Sequence, residues 1–309
     1  MAEKGSHFPS ERTPQGHEIY VGSMEKSADA KFEEILPWVK EGVIIDWGAG
    51  AGPMTDRLSR RFPGSKVIAV DNSHEMIERM KRRFFGRENV EVIYADVTEF
   101  IPPYKIDTSL HISNLHEVFS FGGYSHEPVI KALKNTLEVL NEGGREIIRD
   151  GVQPEPVTLF LKPLTGFAEE RFFKFIDGFK KVRKVDYDLG RFSGENLKWK
   201  EEKGAKGIVE NSLFIKMFSQ DASELFSKYF YPEINLPVEL TEQFGIWTLE
   251  EYKQVLENIG FSVLHAKTFL LDYLLKEHYS KDFEVFHLVD GVLSNAPYPP
   301  STMLLVGEE

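Results

Sequence analysis

Residues Val43–Thr55 read VIIDWGAGAGPMT, and this stretch decides the fold. Three β-branched apolar residues lead to an acid, and three glycines and a proline follow. This pattern predicts a buried strand, then a tight turn, then the start of a helix. The glycines are Gly48, Gly50 and Gly52. Because Pro53 stands where a GxGxxG dinucleotide fingerprint has its third glycine, the spacing favours an adenosine-containing ligand other than a nicotinamide cofactor.

Strands and helices alternate after this stretch. Apolar runs bounded by turn residues predict further strands at 66–70, 90–94, 106–113 and 145–149. Apolar residues at helical spacing predict helices over 53–62, 73–85 and 128–141. Five strands in this rhythm predict an α/β fold with a doubly wound, mostly parallel sheet.

The alternation stops after the fifth strand. Residues 152–245 contain 12 of the 24 phenylalanines, and their pattern predicts helices over 159–181 and 212–229. We therefore expect a largely helical cap inserted after strand five. Two interpretations of its aromatic residues stay open: they line an apolar substrate pocket, or they pack as the core of the cap, which is the more common reason for such a cluster.

The flanking segments complete the predicted domain organisation. The alternation resumes at Trp247, with a helix, a strand at 261–269, a long mixed connection and a final strand at 301–306. At the other end, residues 1–18 look loosely attached and Ser27 is placed to cap a helix over 28–40. These patterns predict an N-terminal segment at 1–40, a Rossmann-like domain at 41–151 and 246–309, and the cap at 152–245.

Composition and charge exclude several classes of function. The chain has 309 residues, a formal net charge of -12 and no cysteine, so disulfides, thiolate nucleophiles and cysteine-based zinc sites are excluded. The negative net charge argues against a nucleic-acid partner, although three short basic clusters mean that such a partner is not excluded. No apolar run is long enough to span a membrane and no signal peptide is evident, so we expect a cytoplasmic protein without a membrane partner.

Several motifs together resemble one family. They are Asp46 with the glycine ladder, Asp71 closing the second strand, NSHEMIERMKRR after it, YADV with Asp96 closing the third strand, LKNTLEVLNEGGREIIRD and TLEEYKQVLENIGFSV. In this order they resemble the class I S-adenosylmethionine-dependent methyltransferases, over residues 43–150 and 246–307. The resemblance implies a seven-stranded sheet in the order 3-2-1-4-5-7-6 and S-adenosyl-L-methionine as cofactor. It also implies that the N-terminal segment and helix at 1–40 cover the cofactor site.

The resemblance also implies which residues contact that cofactor. They are Asp46, Gly48, Ala49, Gly50, Gly52, Asp71, Asn72, Met76, Asp96, Val97 and Asn114. The glycines let the backbone approach the ligand, Asp71 can accept both ribose hydroxyls, and Asp96 can accept the adenine amine. An acid at the end of one strand would be read more simply as a helix or turn cap. Three acids at three consecutive strand ends favour a binding site.

Candidate catalytic residues follow strands four and five. Methyl transfer from a sulfonium is an in-line displacement, so a general base is optional. His116 is a candidate base for an acceptor hydroxyl or amine, and a capping or packing role for it stays equally open. Glu117 and Asp150 are further candidates. The His116-Glu117 and His126-Glu127 pairs match no metal-binding spacing, so we predict no metal site.

Three functions remain open at this point. The first is a methyltransferase of a small-molecule acceptor, with transfer to O, N or C. The second is a methyltransferase of RNA or protein that docks through the basic clusters. The third is a binding module for an adenosine ligand without catalysis.

Overall fold

The computed structural model describes residues 12–180, 182, 187–193, 198–201 and 214–309. Its strands are β1 (Val43–Trp47), β2 (Lys66–Asp71), β3 (Val90–Tyr94), β4 (Ile106–Ile112), β5 (Leu140–Gly151), β6 (Thr158–Pro163), β7 (Tyr187–Ser193), β8 (Lys198–Glu201), β9 (Phe214–Phe218), β10 (Ser262–Phe269), β11 (Phe283–Val289), β12 (Val292–Asn295) and β13 (Thr302–Glu308).

Its α-helices are α1 (Pro14–Ile35), α2 (Pro53–Arg61), α3 (His74–Arg83), α4 (Leu115–Phe121), α5 (His126–Val139), α6 (Gly166–Phe179), α7 (Ser219–Lys228), α8 (Leu236–Glu239), α9 (Leu249–Ile259), α10 (Asp272–Leu274) and α11 (Ser280–Asp282). A 3₁₀ turn spans Leu36–Trp38 and a π turn spans Leu275–Tyr279. Among the described residues, no helix is both long enough and apolar enough to cross a bilayer.

The chain forms two compact units. The first unit comprises residues 1–151, 249–267 and 303–309, and it contains a seven-stranded sheet in the order β3-β2-β1-β4-β5-β13-β10. The β1–β2, β2–β3, β1–β4 and β4–β5 pairs are parallel. The doubly wound, mostly parallel sheet and its 3-2-1-4-5-7-6 strand order are therefore confirmed.

The N-terminal helix begins earlier than the sequence predicted. Helix α1 starts at Pro14 and Thr13 caps it, because the Thr13 hydroxyl accepts a hydrogen bond from the Gly16 amide at 3.1 Å. The prediction of a helix that begins after Ser27 is wrong, as is the loose attachment of the described residues 12–18. The Ser27 hydroxyl donates instead to the Met24 carbonyl inside the helix at 3.2 Å. Proline at the first helical position needs no amide partner, which makes the earlier start possible.

The turn between β1 and α2 requires glycine. Gly48, Gly50 and Gly52 have φ angles of 62°, 57° and 82°, a left-handed region that L side chains rarely adopt. A Cβ atom on Gly48 would lie 2.7 Å from Nδ2 and 2.8 Å from Cβ of Asn114. At Gly52 the added atom would lie 2.7 Å from a ring carbon of Phe84. The space that the glycines leave is thus partly filled by the protein itself.

The second unit differs from the predicted cap. It comprises residues 152–248 and 268–302, so it is built from two chain segments rather than one. It contains a six-stranded sheet in the order β12-β11-β6-β9-β7-β8, and all its strand pairs are antiparallel. The prediction of a largely helical insertion is therefore wrong.

Two short strands explain this error. Residues 158–163 form β6, and α6 begins only after Thr165, whose hydroxyl accepts from the Ala168 amide at 3.1 Å. Likewise 214–218 form β9 before α7. Each strand has only five or six residues, too few for periodicity to distinguish a strand from a helix, and pairing between them decides the outcome.

The phenylalanines of the second unit form its core. Phe172, Phe175, Phe179 and Phe226 are all at most 1% exposed and pack in one cluster with Tyr279 and Phe283. Phe175 and Phe179 stack at 4.9 Å between ring centroids, and Phe226 meets the edge of Phe283 at 5.4 Å. Of the two interpretations of this aromatic cluster, core packing is the one observed within the unit.

A buried acid lies in the middle of the parallel sheet. Glu146 on β5 is fully buried, and across the β4–β5 ladder it stands beside Ser109, which accepts the Trp47 indole N–H at 3.0 Å. Burial raises the pKa of Glu146 from its ordinary 4.5 to about 8. The folded state therefore binds a proton that the unfolded chain releases between these two pH values.

We expect Glu146→Gln to make unfolding less pH-dependent. In the native protein the free energy of unfolding should fall as pH rises from about 4.5 to about 8, by up to about 1.4 kcal/mol per pH unit from this group, because the unfolded state binds fewer protons there. The variant should lose this slope and be more stable than the native chain at pH 8. Urea unfolding at pH 5 and pH 8 measures the free energy of unfolding of both chains and hence its dependence on pH. Glu142→Gln, exposed on the same strand, is the control, and an unchanged slope in Glu146→Gln would contradict the assignment.

Gly48→Ala should destabilise the first unit by about 2 kcal/mol or more. The substitution combines a left-handed backbone angle with a clash against the buried Asn114 side chain. Thermal unfolding measures the loss. Gly22→Ala on α1 is the matched control, because a Cβ there meets nothing within 4 Å, and we expect it to be neutral or slightly stabilising. Equal melting temperatures for the two variants would contradict the role of Gly48.

Candidate functional site

The glycine turn is tied to the end of the neighbouring strand. Asp71, the last residue of β2, accepts the Gly50 amide on Oδ2 and the Ser73 amide on Oδ1, both at 2.8 Å. Burial raises the pKa of Asp71 to about 6, although these backbone bonds partly offset the rise. Each carboxylate oxygen can accept more than one hydrogen bond. The predicted ribose acceptor therefore also holds the turn in shape.

Asp46 lies beneath the same turn and is almost completely buried. It accepts a hydrogen bond from the Thr55 hydroxyl on α2 at 2.6 Å. Burial raises the pKa of Asp46 to about 7; the Thr55 bonds lower it and the nearby Asp71 charge adds to the rise. One of its carboxylate oxygens thus fixes the start of α2 to the end of β1.

A small pocket opens beside Asp46 and the glycine turn. Its lining comes from α1, β1, the turn, α2 and β4, and consists of Met24, Ala28, Lys31, Asp46, Gly48, Ala49, Pro53, Met54 and Ile112. Helix α1 lies against the turn so closely that a Cβ on Gly50 would collide with the end of the Met24 side chain. The sequence predicted that the N-terminal segment covers the cofactor, but did not single out Met24 or Lys31.

The predicted adenine contacts follow β2 and β3. Asp96 comes two residues after β3, and its Oδ1 accepts from the Thr98 amide at 2.8 Å and the Thr98 hydroxyl at 2.6 Å. Asn72 and Val97 are half-buried, whereas Met76 is only 5% exposed on the inner face of α3. The structure brings these residues to the same end of the sheet as Asp71. Their contact with a cofactor stays a prediction.

The Asn114 side chain connects the ends of two neighbouring strands. Its side-chain N–H donates to the Trp47 carbonyl at 2.8 Å, and its Oδ1 lies 3.0 Å from Nδ1 of His111. The side chain therefore joins the ends of β1 and β4 and packs against Gly48. Burial lowers the pKa of His111 to about 4, so this histidine inside β4 stays neutral, as expected for a core position.

His116 and Asp150 form a buried pair. Nδ1 of His116 lies 2.6 Å from Oδ1 of Asp150, and the His116 amide donates to Oδ2 at 3.1 Å. The Gly151 amide also donates to Oδ1 at 2.7 Å. Burial raises the pKa of Asp150, but the charge and hydrogen bonds of His116 and the backbone outweigh it and hold the pKa below its usual value. The pair joins α4 to the end of β5.

This geometry determines which nitrogen of His116 can act as a base. An ionised carboxylate can only accept, so Nδ1 carries the proton that it shares with Asp150, and Nε2 is the basic nitrogen of the neutral ring. The same arrangement orients histidine bases in enzymes where a carboxylate supports the ring. Two of the three predicted catalytic residues are therefore in direct contact.

Glu117, the third candidate, reaches α1 instead. Its Oε1 accepts from the Tyr20 hydroxyl at 3.4 Å, a long hydrogen bond. A second connection links α1 to the sheet, because Glu34 accepts from the Arg149 side chain at 2.5 Å. The sequence analysis did not predict that Lys31 lines the pocket or that Glu34 pairs with Arg149. Both residues are neighbours of Phe32 and Ile35, which are buried on the inner face of α1, and this position could have indicated them.

The known proteins to which this chain is similar are methyltransferases. Residues 44–144 match the methyltransferase domain family. Demethylmenaquinone methyltransferase from Clavibacter sepedonicus is 34% identical over 116 residues, which are 38% of this chain and 43% of that protein. Trans-aconitate 2-methyltransferase from Rhodopseudomonas palustris is 27% identical over 144 residues, 46% of each protein. The matched regions thus span less than half of these relatives.

Similarity to solved structures extends over more of the chain. An O-methyltransferase family protein from Burkholderia thailandensis superposes with a TM-score of 0.50 at 10% sequence identity, over 96% of this chain and 60% of that one. At this identity the likeness concerns the fold. Together with the match of residues 44–144 to the methyltransferase domain and the strand order, it shows that the fold of the first unit is similar to that of class I methyltransferases.

Proposed function

We propose that this protein is an S-adenosylmethionine-dependent methyltransferase of a small-molecule acceptor, with transfer to oxygen, nitrogen or carbon. One observation carries the proposal: the His116–Asp150 pair and the turn held by Asp71 stand at the carboxyl ends of strands of one parallel sheet. Open α/β sheets bind ligands along that edge. The match of 44–144 to the methyltransferase domain supports the cofactor half of the proposal.

In this proposal the chain holds the cofactor through the ends of β1, β2 and β3. Asp71 accepts the ribose hydroxyls, Asp96 accepts the adenine amine, and Met76 and Val97 contact the faces of the base. The left-handed turn brings backbone atoms next to the methionine end. When bound, the cofactor supplies a methyl group on a positively charged sulfonium. The sulfur is a good leaving group, and its departure needs no metal or acid.

In this proposal His116 acts as the general base. Nε2 would take the proton from an acceptor hydroxyl or amine as the acceptor oxygen or nitrogen bonds to the methyl carbon, while the carbon–sulfur bond breaks and the sulfur leaves as a neutral thioether. Asp150, whose pKa is held below its usual value, stays ionised and stabilises the imidazolium that forms. Glu117, tied to Tyr20, is a less direct candidate and serves better to hold α1 beside α4.

Two observations favour a small molecule over a polyanion as acceptor. The chain carries a net charge of -12, which opposes binding to RNA. The two relatives named above act, by their names, on demethylmenaquinone and trans-aconitate. We place the enzyme in the cytoplasm. A methyltransferase of RNA or protein is the alternative that the experiment below separates.

The acceptor class can be tested with isotope-labelled cofactor. The purified protein is incubated with methyl-labelled S-adenosylmethionine and a cell extract separated into small molecules, RNA and protein. We expect label in the small-molecule fraction, and boiled protein serves as control. Label in RNA or protein would contradict the acceptor class, and no label in any fraction despite cofactor binding would favour a binding module.

Asp71→Ala should weaken S-adenosylmethionine binding by about 100-fold, because it removes a charged acceptor of two hydroxyls and frees the Gly50 amide. Calorimetry measures the binding, and circular dichroism checks the fold. Asp29→Asn is the control, an exposed acid on α1 that pairs with Arg57. Unchanged affinity in Asp71→Ala would contradict the ribose assignment.

His116→Ala should lower kcat by about 10²- to 10⁴-fold while the affinity for S-adenosylmethionine stays unchanged, because a general base acts only on the chemical step. Asp150→Asn should lower kcat as well, since an amide can hold the ring in the wrong tautomer. The rate is measured on the acceptor found by labelling. His265→Ala, a histidine stacked on Trp38, is the control. A wild-type rate for His116→Ala would make His116 a structural residue.

A further inference from the structure

The C-terminal ends of α2 and α3 form a positively charged surface on the first unit. Segments 56–62 and 78–88 contain eight lysines and arginines and three acids, although the whole chain carries a net charge of -12. Each helix connects the carboxyl end of one parallel strand to the amino end of the next, so both end at the amino edge of the sheet. We call the surface of these two segments the basic edge. The candidate active site lies at the opposite edge of the same sheet.

The turn after α3 is fixed to the end of α2. The Asn89 side chain donates to the Ser59 and Ser65 carbonyls at 3.0 and 3.3 Å, and the Arg87 guanidinium donates to the Ser59 hydroxyl at 2.8 Å. The Arg87 amide donates to the Phe84 carbonyl at 2.9 Å and closes a four-residue turn. The two helix ends are therefore held together as one surface.

Phe85 stands at the corner of this turn. Its side chain is 93% exposed, the highest value among the large apolar residues that the structure describes, whereas its neighbour Phe84 is 6% exposed. An exposed apolar side chain is common on protein surfaces and by itself indicates nothing. Phe85 differs because exposed cations precede it by one helical turn, at Lys81 and Arg82.

The positive charge of the basic edge exceeds what the neighbouring acids neutralise. Asp56 accepts from the Arg60 side chain at 3.1 Å, pairs with Arg87 and lies 3.6 Å from the Arg83 guanidinium. One carboxylate thus serves three guanidinium groups. Arg83 has a second partner in Glu25 of α1, at 2.9 Å, but Arg60 and Arg87 share Asp56 alone among the carboxylates of the described residues.

Three further cations of the basic edge are available to an external anion. Lys81 pairs with Glu78 at 2.9 Å, but both side chains are more than half exposed, so water weakens this pair. In the part of the chain that the structure describes, Arg61 and Arg82 form no ion pair, and both are exposed. An anionic surface can therefore contact these charges without displacing a buried acid of the protein.

We propose that the basic edge docks on an anionic lipid bilayer, with the Phe85 ring inserted among the headgroups and the cations in contact with the lipid phosphates. Basic residues attract an anionic leaflet, and an apolar ring in the interface adds hydrophobic burial. The exposure of Phe85 favours a bilayer over RNA, because a ring that serves as a stacking platform lies against the protein, whereas this ring projects from it.

Two features of the chain are compatible with this partner. The net charge of -12 opposes binding to an anionic surface, but salt screens charges farther than about 10 Å from the bilayer, and the basic edge is the part in contact. The sequence predicted no membrane partner because no apolar run spans a bilayer. That criterion concerns spanning segments, and a surface that lies on a bilayer needs none.

Vesicle flotation tests the contribution of the cations. We expect the native protein to bind vesicles of phosphatidylcholine mixed with phosphatidylglycerol, and to bind pure phosphatidylcholine at least about 10-fold more weakly. The double variant Arg61→Gln, Arg82→Gln should bind the mixed vesicles about 10- to 30-fold more weakly than the native chain, because two cations are lost. The matched control is Lys131→Gln, Lys134→Gln, which removes two exposed lysines of α5 and should bind as the native chain does.

The contribution of the ring is tested at Phe85. Phe85→Ser should weaken binding to the mixed vesicles about 10-fold, because the apolar burial in the interface is lost. Phe85→Trp should bind at least as tightly as the native chain, since tryptophan favours the headgroup region. Because Phe85 is exposed, both variants should have the native circular dichroism spectrum and melting temperature.

Several outcomes would overturn the inference. They are equal binding of the native protein to the two kinds of vesicle, binding to neither, and equal losses in the two double variants, which would make net charge rather than the basic edge responsible. Binding to a single-stranded RNA oligonucleotide that Phe85→Ser abolishes, without vesicle binding, would replace the bilayer by RNA. None of these assays contains the cofactor, so their failure leaves the proposed methyl transfer untouched.

Discussion

The left-handed turn after β1 is the constraint on which the first unit depends. Its three glycines adopt angles that other residues rarely reach, and side chains from three other elements hold the turn: Asp71 by hydrogen bonds to its backbone, and Asn114 and Phe84 by packing against it. Because these side chains come from the ends of β2, β4 and α3, the turn also aligns those elements. The carboxyl ends of the parallel strands are thereby assembled as one edge.

Several ionisable side chains are buried at the carboxyl ends of these strands. Asp46, Asp71, Lys31 and Asp150 all have a pKa moved from its ordinary value, by burial and by specific partners. Asp150 is held ionised by His116, which gives the histidine a defined tautomer, whereas Lys31 has a hydroxyl partner. Groups with perturbed pKa values are typical of binding and catalytic sites. The arrangement of His116 and Asp150 suits proton transfer.

The sequence predicted most accurately those elements that depend on interactions between residues close together in the chain. The strands and turn of the first unit were predictable because each depends on local signals: β-branched runs, glycines and caps. The start of α1 was missed, because a polar segment gives no apolar periodicity and Thr13 rather than Ser27 provides the cap. The six-stranded sheet of the second unit was missed because β6 and β9 pair with each other although 50 residues (164–213) separate them along the chain.

The sequence by itself determined the parallel sheet, its strand order through the resemblance, and the set of acids at the strand ends. Those features follow from local conformational preference and from the carboxyl ends of parallel strands lying at one edge. Only the tertiary structure decided that His116 pairs with Asp150, that Asn114 serves the turn, and that Lys31 faces the pocket. Each of these contacts joins residues from different elements, and spacing along a chain contains no information on the direction in which such side chains meet.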